Sequence, residues 1–439
     1  MNKLPAIPRD AAAALAVAYY MAQGVPPSRV AEILGRDRST VSRLAKDARE
    51  NGWLVERPEF RPPPEWRDVF RAYVAVPSLE KRLLDTFGHP LRRCTVIPAI
   101  PDKNVPGETD DQARGRENRR GLLMQEVVAI TAGQRLGRII ALGPDAVPTR
   151  DRSGNQYLSQ DVVVGWGAMV NSLLSRATIP SREGAPDPPY GDVRAFPVLG
   201  NFPLPHQTDR YVSADPESVS FAEEESIRFS ANANADVLAR QFCGQKLPPR
   251  RMLTVGVFKA TREDFLRCGP LLSADRTLVE LYGQFWDNPG SQDGAIWRAD
   301  TFVTSLGAHP GLPESGSAVR GFSPLAAYSD FKDALPMDAI GDVCGVLFDG
   351  DGKEVNNPDR QVVGLRLEHI EALSRRHVDL VDAKARDGRE PGPRGAGVFM
   401  ATSGTGKAKS LLALLKRGYV NELIIPSDLA ERVLLLASP

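Results

Sequence analysis

Residues 25–54 read VPPSRVAEILGRDRSTVSRLAKDARENGWL, and two apolar stripes of helical period flank a glycine in this run. In the first, Ser28 is placed to cap a short helix whose Val30, Ile33 and Leu34 share one face at i, i+3, i+4. Gly35 is the residue type that ends a helix in the left-handed region. A turn through Arg36, Asp37 and Arg38 leads to a second helix starting near Ser39 or Thr40, with Val41, Leu44, Ala45 and Ala48 as its buried stripe. Its opposite face carries Ser39, Ser42, Arg43 and Lys46, with Arg38 and Thr40 at the amino end.

A helix that enters the major groove needs such residues near its amino end. Arginine can bond guanine through two parallel hydrogen bonds, and serine and threonine hydroxyls serve bases or phosphates. Arg29, Arg36 and Arg49 are positioned for phosphate contacts that give salt-dependent grip without base choice. Residues 1–57 therefore read as a helix-turn-helix domain for double-stranded DNA, with a small helical bundle for protein contacts as the competing reading. Upstream, residues 11–22 (AAAALAVAYYMA) continue this module as a helix that Asp10 can cap. The run is too short to span a bilayer and lacks the cleavage pattern of a leader, so no membrane partner is expected.

The charge balance places a limit on this reading. Lys plus Arg and Asp plus Glu number 55 each, so any DNA contact must come from a local patch. The four cysteines (Cys94, Cys243, Cys268, Cys344) form no CxxC, and the five histidines fall in no ligand spacing. A reducing, cytoplasmic setting fits, with no metal and no cofactor expected.

Pro58 and Pro62 to Pro64 open a stretch, 58–78, that resists both helix and sheet and reads as a semi-rigid linker. Residues 79–87 look helical and begin a large domain, 79–439. Short apolar runs then alternate with helical stretches. Strands are expected at 95–100, 138–142, 161–164, 193–199, 252–258, 301–306, 342–348, 397–401 and 422–425. Uniformly apolar strands between helices imply a mainly parallel, Rossmann-like sheet covered on both faces, with ligands at the carboxyl ends of its strands. Several of these strands end in glycine: Gly165 and Gly167, Gly200, and Gly307, with Gly404 close after 397–401. Such glycines let backbone N–H groups approach an anion, and they also end strands for purely steric reasons. Segments 202–232, 285–300 and 376–396, rich in Pro, Gly and charge, read as added loops.

Residues 401–408 (ATSGTGKA) mimic a phosphate loop, but a Walker A motif needs Gly at 401 and Ser or Thr at 408, where this chain has Ala. What remains is a Ser/Thr/Gly turn into a helix, with Lys407 at its start: an anion cradle or an ordinary strand-to-helix turn. No GxSxG occurs, and Asp342, next to Gly341, has no evident partner base. No catalytic residue is expected.

Three stretches resemble the SorC family of sugar-binding transcriptional regulators: residues 19–54, residues 338–355 (DAIGDVCGVLFDGDGKEV) and residues 403–434 (SGTGKAKSLLALLKRGYVNELIIPSDLAERVL). The resemblance implies an effector domain related to phosphosugar isomerases that senses a sugar or sugar phosphate. It also implies a homo-oligomer, dimer or tetramer, whose hold on an operator the effector alters. Carried over by position, effector contacts would be Gly165, Gly167, Gly200, Gly307, Asp342, Gly404 and Lys407. The family's Trp-Gly-x-Thr segment is here Trp166-Gly167-Ala168-Met169. The alternatives are a phosphosugar isomerase or deaminase-like enzyme, and a constitutive DNA-binding protein with a degenerate pocket.

Overall fold

The computed structural model describes residues 9–22, 27–34, 36–54, 76–100, 108–142, 160–177, 193–199, 229–242, 257–258, 269–270, 272–284, 291–308, 338–355, 361–362, 364–388 and 392–438. The chain divides into two compact units, residues 1–81 with 98–103, and residues 82–97 with 104–439. Most of the expected linker lies outside the described residues, as do Gly35 and Gly200.

The first unit contains α1 (Arg9–Ala22), α2 (Pro27–Ile33) and α3 (Arg38–Glu50). Alanine-rich α1 turns Ala14, Val17 and Ala18 inward, where they meet Val30 and Ala31 of α2 and Val41, Leu44, Ala45 and Ala48 of α3. The spacing i, i+3, i+4, i+7 on α3 is the stripe read from sequence. α1 begins at Arg9, so Asp10 stands within its first turn and does not precede it. α3 starts one residue earlier than expected because Asp37 caps it: its carboxylate accepts from the Thr40 N–H at 2.8 Å. The helix ends at Gly52, whose φ of +69° suits glycine. There Gly52 N–H donates to Arg49 O at 2.9 Å and Trp53 N–H to Ala48 O at 2.8 Å, the paired bonds of a Schellman closure. Trp53 then packs on the same core.

After α4 (Val76–Phe87), the second unit builds a six-stranded sheet. Its elements in chain order begin with β1 (Arg93–Ile97), α5 (Asp110–Leu142), β2 (Gln160–Val164), α6 (Ala168–Ser175) and β3 (Val193–Pro197). α7 (Ala231–Phe242), the two-residue β4 (Val257–Phe258), α8 (Arg276–Tyr282), β5 (Thr301–Thr304) and β6 (Gly307–Ala308) follow. The unit closes with β7 (Gly341–Val343), β8 (Val346–Phe348), β9 (Gln361–Val362), α9 (Leu367–Arg386), β10 (Gly397–Ala401), α10 (Ala408–Arg417), β11 (Glu422–Pro426) and α11 (Ser427–Ala437).

The sheet order is β1-β11-β10-β5-β2-β3, and every pairing is parallel. All five residues of β2, β10 and β11 are buried, as expected for a sheet with both faces covered. α5 lies against α6 and β11, α7 against β2 and β3, and α9 against β10.

Several sequence expectations are corrected. Residues 138–142 are not a strand but the end of α5. The RIIAL run keeps the register of Val128, Ala132, Leu136, Ile139 and Ile140, all buried along one face. A short apolar run does not by itself distinguish strand from helix. Residues 342–348 are not one strand but the tight hairpin β7–β8, with Cys344 (φ 50°) and Gly345 (φ 83°) at its turn. Positive φ at both central residues gives the twist that a two-residue hairpin requires. Residues 376–386 belong to α9 and not to a loop; residues 231–232 open α7, and Ala295–Arg298 form a 3-10 turn. Of the strand expected at 252–258, Val257–Phe258 are described; they pair antiparallel with β9, outside the main sheet.

Candidate functional site

Two surfaces collect the residues singled out by sequence. On the first unit, Arg38, Ser39, Ser42, Arg43 and Lys46 are exposed along α3 and Thr40 is half-buried, while the opposite stripe is buried. Asp37 organises the amino end. Its carboxylate takes the Ser39 hydroxyl at 2.5 Å, the Thr40 N–H at 2.8 Å and the Thr40 hydroxyl at 2.8 Å. The Ser39 and Thr40 hydroxyl protons are thus directed at the cap, and both oxygens remain available as acceptors. Outward donors come from Arg38, Ser42, Arg43 and Lys46. The pairs Arg43–Asp47 at 3.8 Å and Lys46–Glu50 at 3.7 Å are loose and solvent-exposed, so they hold the two cations only weakly.

The bonds from Ser39 and then Thr40 hold the Asp37 carboxyl well below the usual carboxylate range. A depressed folded-state pKa means that the cap is intact above the unfolded value, about 3.9, and is lost as pH falls through the lower folded value. The Thr40 amide resonance should therefore titrate with a midpoint clearly below pH 3.9, and the titration should vanish in Asp37→Ala. A midpoint at the ordinary aspartate value would refute the cap.

On the second unit, β10, β5 and β2 are neighbours, so their carboxyl ends bring the sequence-flagged glycines together. Gly165 follows β2; its N–H donates to Val303 O at 2.9 Å, and its carbonyl accepts from Asn234 Nδ2 at 3.0 Å. Gly167 precedes α6, its N–H donating to Phe229 O at 2.8 Å. Gly307 follows β5 in β6 and stands in register with Asp342 of β7. Gly404, exposed at φ +97°, begins the turn from β10 that runs through Thr405–Lys407 into α10.

Asp342 is only 4% exposed. Its Oδ2 accepts from Gly345 N–H at 3.0 Å across the β7–β8 turn. Burial raises its pKa, and the Gly345 N–H and the charge of Lys407 oppose the rise. Lys407 is half-buried as a residue and donates to Thr402 Oγ1 at 3.2 Å. Burial pushes its pKa down to about 8, against the pull of Asp342. The two groups feel each other's charge, but among the described residues they do not close to an ion pair. This neighbour for Asp342 was invisible in the sequence, because 64 intervening positions separate the two along the chain.

Cys344 and Asn234 also belong to this edge and were not singled out by sequence. The Cys344 sulfur lies 3.5 Å from Thr304 Oγ1, and burial pushes its thiol up to about 12, so it is a protonated packing group. Asn234 is buried on α7 and links Asn171 Nδ2, which donates to it at 3.0 Å, to the Gly165 carbonyl. A lone Asn on a helix carries no spacing signal that would have flagged it.

The amino ends of the strands are different. Arg135 chelates Glu422 at 2.5 and 3.1 Å, and Arg194 bonds Asp161 at 2.6 Å. Charges there are matched into pairs, whereas at the carboxyl edge a buried carboxyl and an ammonium stand apart. Polar groups left without an ion-pair partner at the carboxyl edge of a parallel sheet are where a polar ligand can bind.

No protein-family model and no curated protein matches the chain. Among solved structures, it is similar to sugar-binding transcriptional regulators. The full-length sorbitol operon regulator SorC from Klebsiella pneumoniae is 15% identical with a TM-score of 0.48, covering 97% of this chain and 98% of that one. A DeoR family transcriptional regulator from Listeria monocytogenes is 16% identical at 0.46, covering 82% of this chain and 99% of the other. A putative sugar-binding domain of a transcriptional repressor from Vibrio fischeri is 17% identical at 0.46, covering 82% and 98%. Identity this low transfers no residue's role. No described helix is long and apolar enough to cross a membrane.

Proposed function

We propose that the chain is a transcriptional regulator that binds operator DNA through α3 and whose hold on DNA is altered by a small sugar-derived effector at the carboxyl edge of the sheet. The observation that carries it is the outward face of α3. Arg38, Ser42, Arg43 and Lys46 project from a helix whose other side is locked into a three-helix core. Those side chains match what a groove-reading helix requires near its amino end. Zero net charge makes each module a modest binder, so a homo-oligomer, dimer or tetramer, would supply the affinity by presenting several modules at once.

At the effector end, Asp342 offers an acceptor for hydroxyls and Lys407 a donor, with Gly165, Gly167, Gly307 and Gly404 supplying backbone at the same carboxyl edge of the sheet. Gly200 belongs to the same proposal by sequence position alone. The functional division follows: 1–57 reads DNA, 58–78 links, 79–439 senses. The role is one of binding without turnover.

The test uses duplexes selected by the full-length chain from a random pool. Arg43→Ala should weaken binding to the selected site by about 1–3 kcal/mol, or roughly tenfold to a hundredfold, while binding to unrelated duplex changes less. Unchanged specific binding in Arg43→Ala would remove α3 as the reading helix.

A further inference from the structure

Lys407 and Asp342 together have a chemical character beyond simple polarity. The elements that carry the two groups are locked together: Ser410 Oγ, in the first turn of α10, donates to Ile340 O at 2.8 Å, just before β7. Among the described residues the Lys407 ammonium makes one hydrogen bond, to Thr402, so two of its three N–H directions have no described acceptor. Asp342 uses Oδ2 on Gly345, and Oδ1 takes no hydrogen bond from a described residue. An amine and a carboxyl held near each other, with no bond between them, form the pair that carbonyl condensation requires.

We propose that Lys407 captures the aldehyde or ketone group of a small hydroxycarbonyl compound, such as an open-chain sugar, as an imine, with Asp342 as the proton donor. In the reacting form, one proton of the ammonium–carboxylate pair has moved, leaving amine and acid. The Lys407 nitrogen lone pair forms a bond to the carbonyl carbon, and a proton passes from nitrogen to the carbonyl oxygen, giving a carbinolamine. The Asp342 proton then goes to the carbinolamine hydroxyl, which leaves as water while the C=N bond forms. The products are a protonated imine on Lys407, a carboxylate on Asp342 and one water. Their opposite charges stabilise each other in the buried site.

The depressed basicity of Lys407 supports this use. At pH 7 an amine with pKa about 8 is free about 10% of the time, against roughly 0.03% for an ordinary lysine. The inference rests on the ligand half of the regulator reading and is independent of the DNA half.

The test treats the full-length chain with glycolaldehyde and cyanoborohydride at pH 7, followed by peptide mass spectrometry. Exposed Lys409, two residues on, is the internal reference. Lys407 should acquire the reduced adduct at least about tenfold faster than Lys409, with a rate that stays level from neutrality up to about pH 8 and falls above it, as the one proton shared with Asp342 is lost. Lys407→Arg should lose that adduct, and Asp342→Asn, checked for folding by circular dichroism, should slow it by about tenfold. Equal labelling of the two lysines, or a Lys407 rate that climbs past pH 9 without levelling, overturns the proposal. The second readout uses wild-type protein and so does not depend on Asp342→Asn folding. A chain that binds no duplex yet labels selectively at Lys407 upholds this inference and removes the regulator reading. A chain that binds selected duplex and answers to a ligand, but labels Lys407 no faster than Lys409, does the reverse.

Discussion

Asn421→Ala is expected to lower the stability of the second unit by about 4 kcal/mol, a large share of the 5–15 kcal/mol typical of a folded domain. Asn421 is fully buried just ahead of β11. Its Oδ1 accepts from the Val398 N–H at 2.8 Å, and its Nδ2 donates to Ser374 Oγ at 2.9 Å, Pro90 O at 3.0 Å and Ser374 O at 3.2 Å. One amide thus serves β10, α9 and the segment entering β1. Alanine leaves the Val398 donor and the Ser374 acceptors unserved in the interior, at about 1–3 kcal/mol per orphaned group. Urea unfolding should show a lower midpoint at an unchanged slope. A loss under about 1 kcal/mol would mean that water enters and replaces the amide.

Gly307→Ala should weaken effector binding strongly while leaving the fold in place. A β-carbon on Gly307 would fall on the carboxylate of Asp342, with Cγ at 2.8 Å and Oδ1 nearer still. Asp342 would have to swing away and give up the Gly345 N–H. The displaced carboxylate would no longer accept from the effector; a hydrogen bond to a charged group is worth about 1.5–3 kcal/mol, so affinity should drop by roughly tenfold to a hundredfold. The readout is titration calorimetry with the first compound, from a panel of sugar phosphates, free sugars, polyols and sugar acids, that raises the melting temperature of the wild-type chain. Gly404→Ala is the comparison. No atom lies within 4 Å of where its β-carbon would go, so only the backbone strain of its positive φ is at stake. Equal affinity in Gly307→Ala and wild type would place the effector away from Asp342.

The stripe Val41, Leu44, Ala45, Ala48 and the strands around Val162–Val164 and Val398–Met400 were legible in sequence because burial leaves a period that can be counted. So was the gathering of Gly165, Gly307 and Lys407 at one edge, since parallel strands put all their carboxyl ends together. The cap at Asp37 is masked in the sequence by Ser39 and Thr40, hydroxyl residues with the same capping chemistry, which the structure shows bonded to the Asp37 carboxylate. The end of α5 was misread because its last apolar residues resemble a strand when taken without the preceding turns. The Cys344-Gly345 turn was hidden inside an apolar run. The electrostatic contact of Asp342 with Lys407 depends on β7 pairing with β6, the strand that follows β5, a tertiary arrangement that no local pattern encodes.

The sheet order also governs how the molecule is made. Among the described residues β1, complete at Ile97, bonds to one strand only, and that strand is β11, which begins at Glu422. β11 in turn lies between β1 and β10. On the ribosome, the amino-terminal helices can associate early, whereas β1 waits with its ladder unpaired until nearly all of the chain has been synthesised. So distant a pairing makes closure of the sheet slow, and it leaves the apolar edge of β1 open to aggregation throughout translation. Premature stops before residue 422 would thus release chains with an intact helical module and an unclosed sheet, which are substrates for chaperones and proteases.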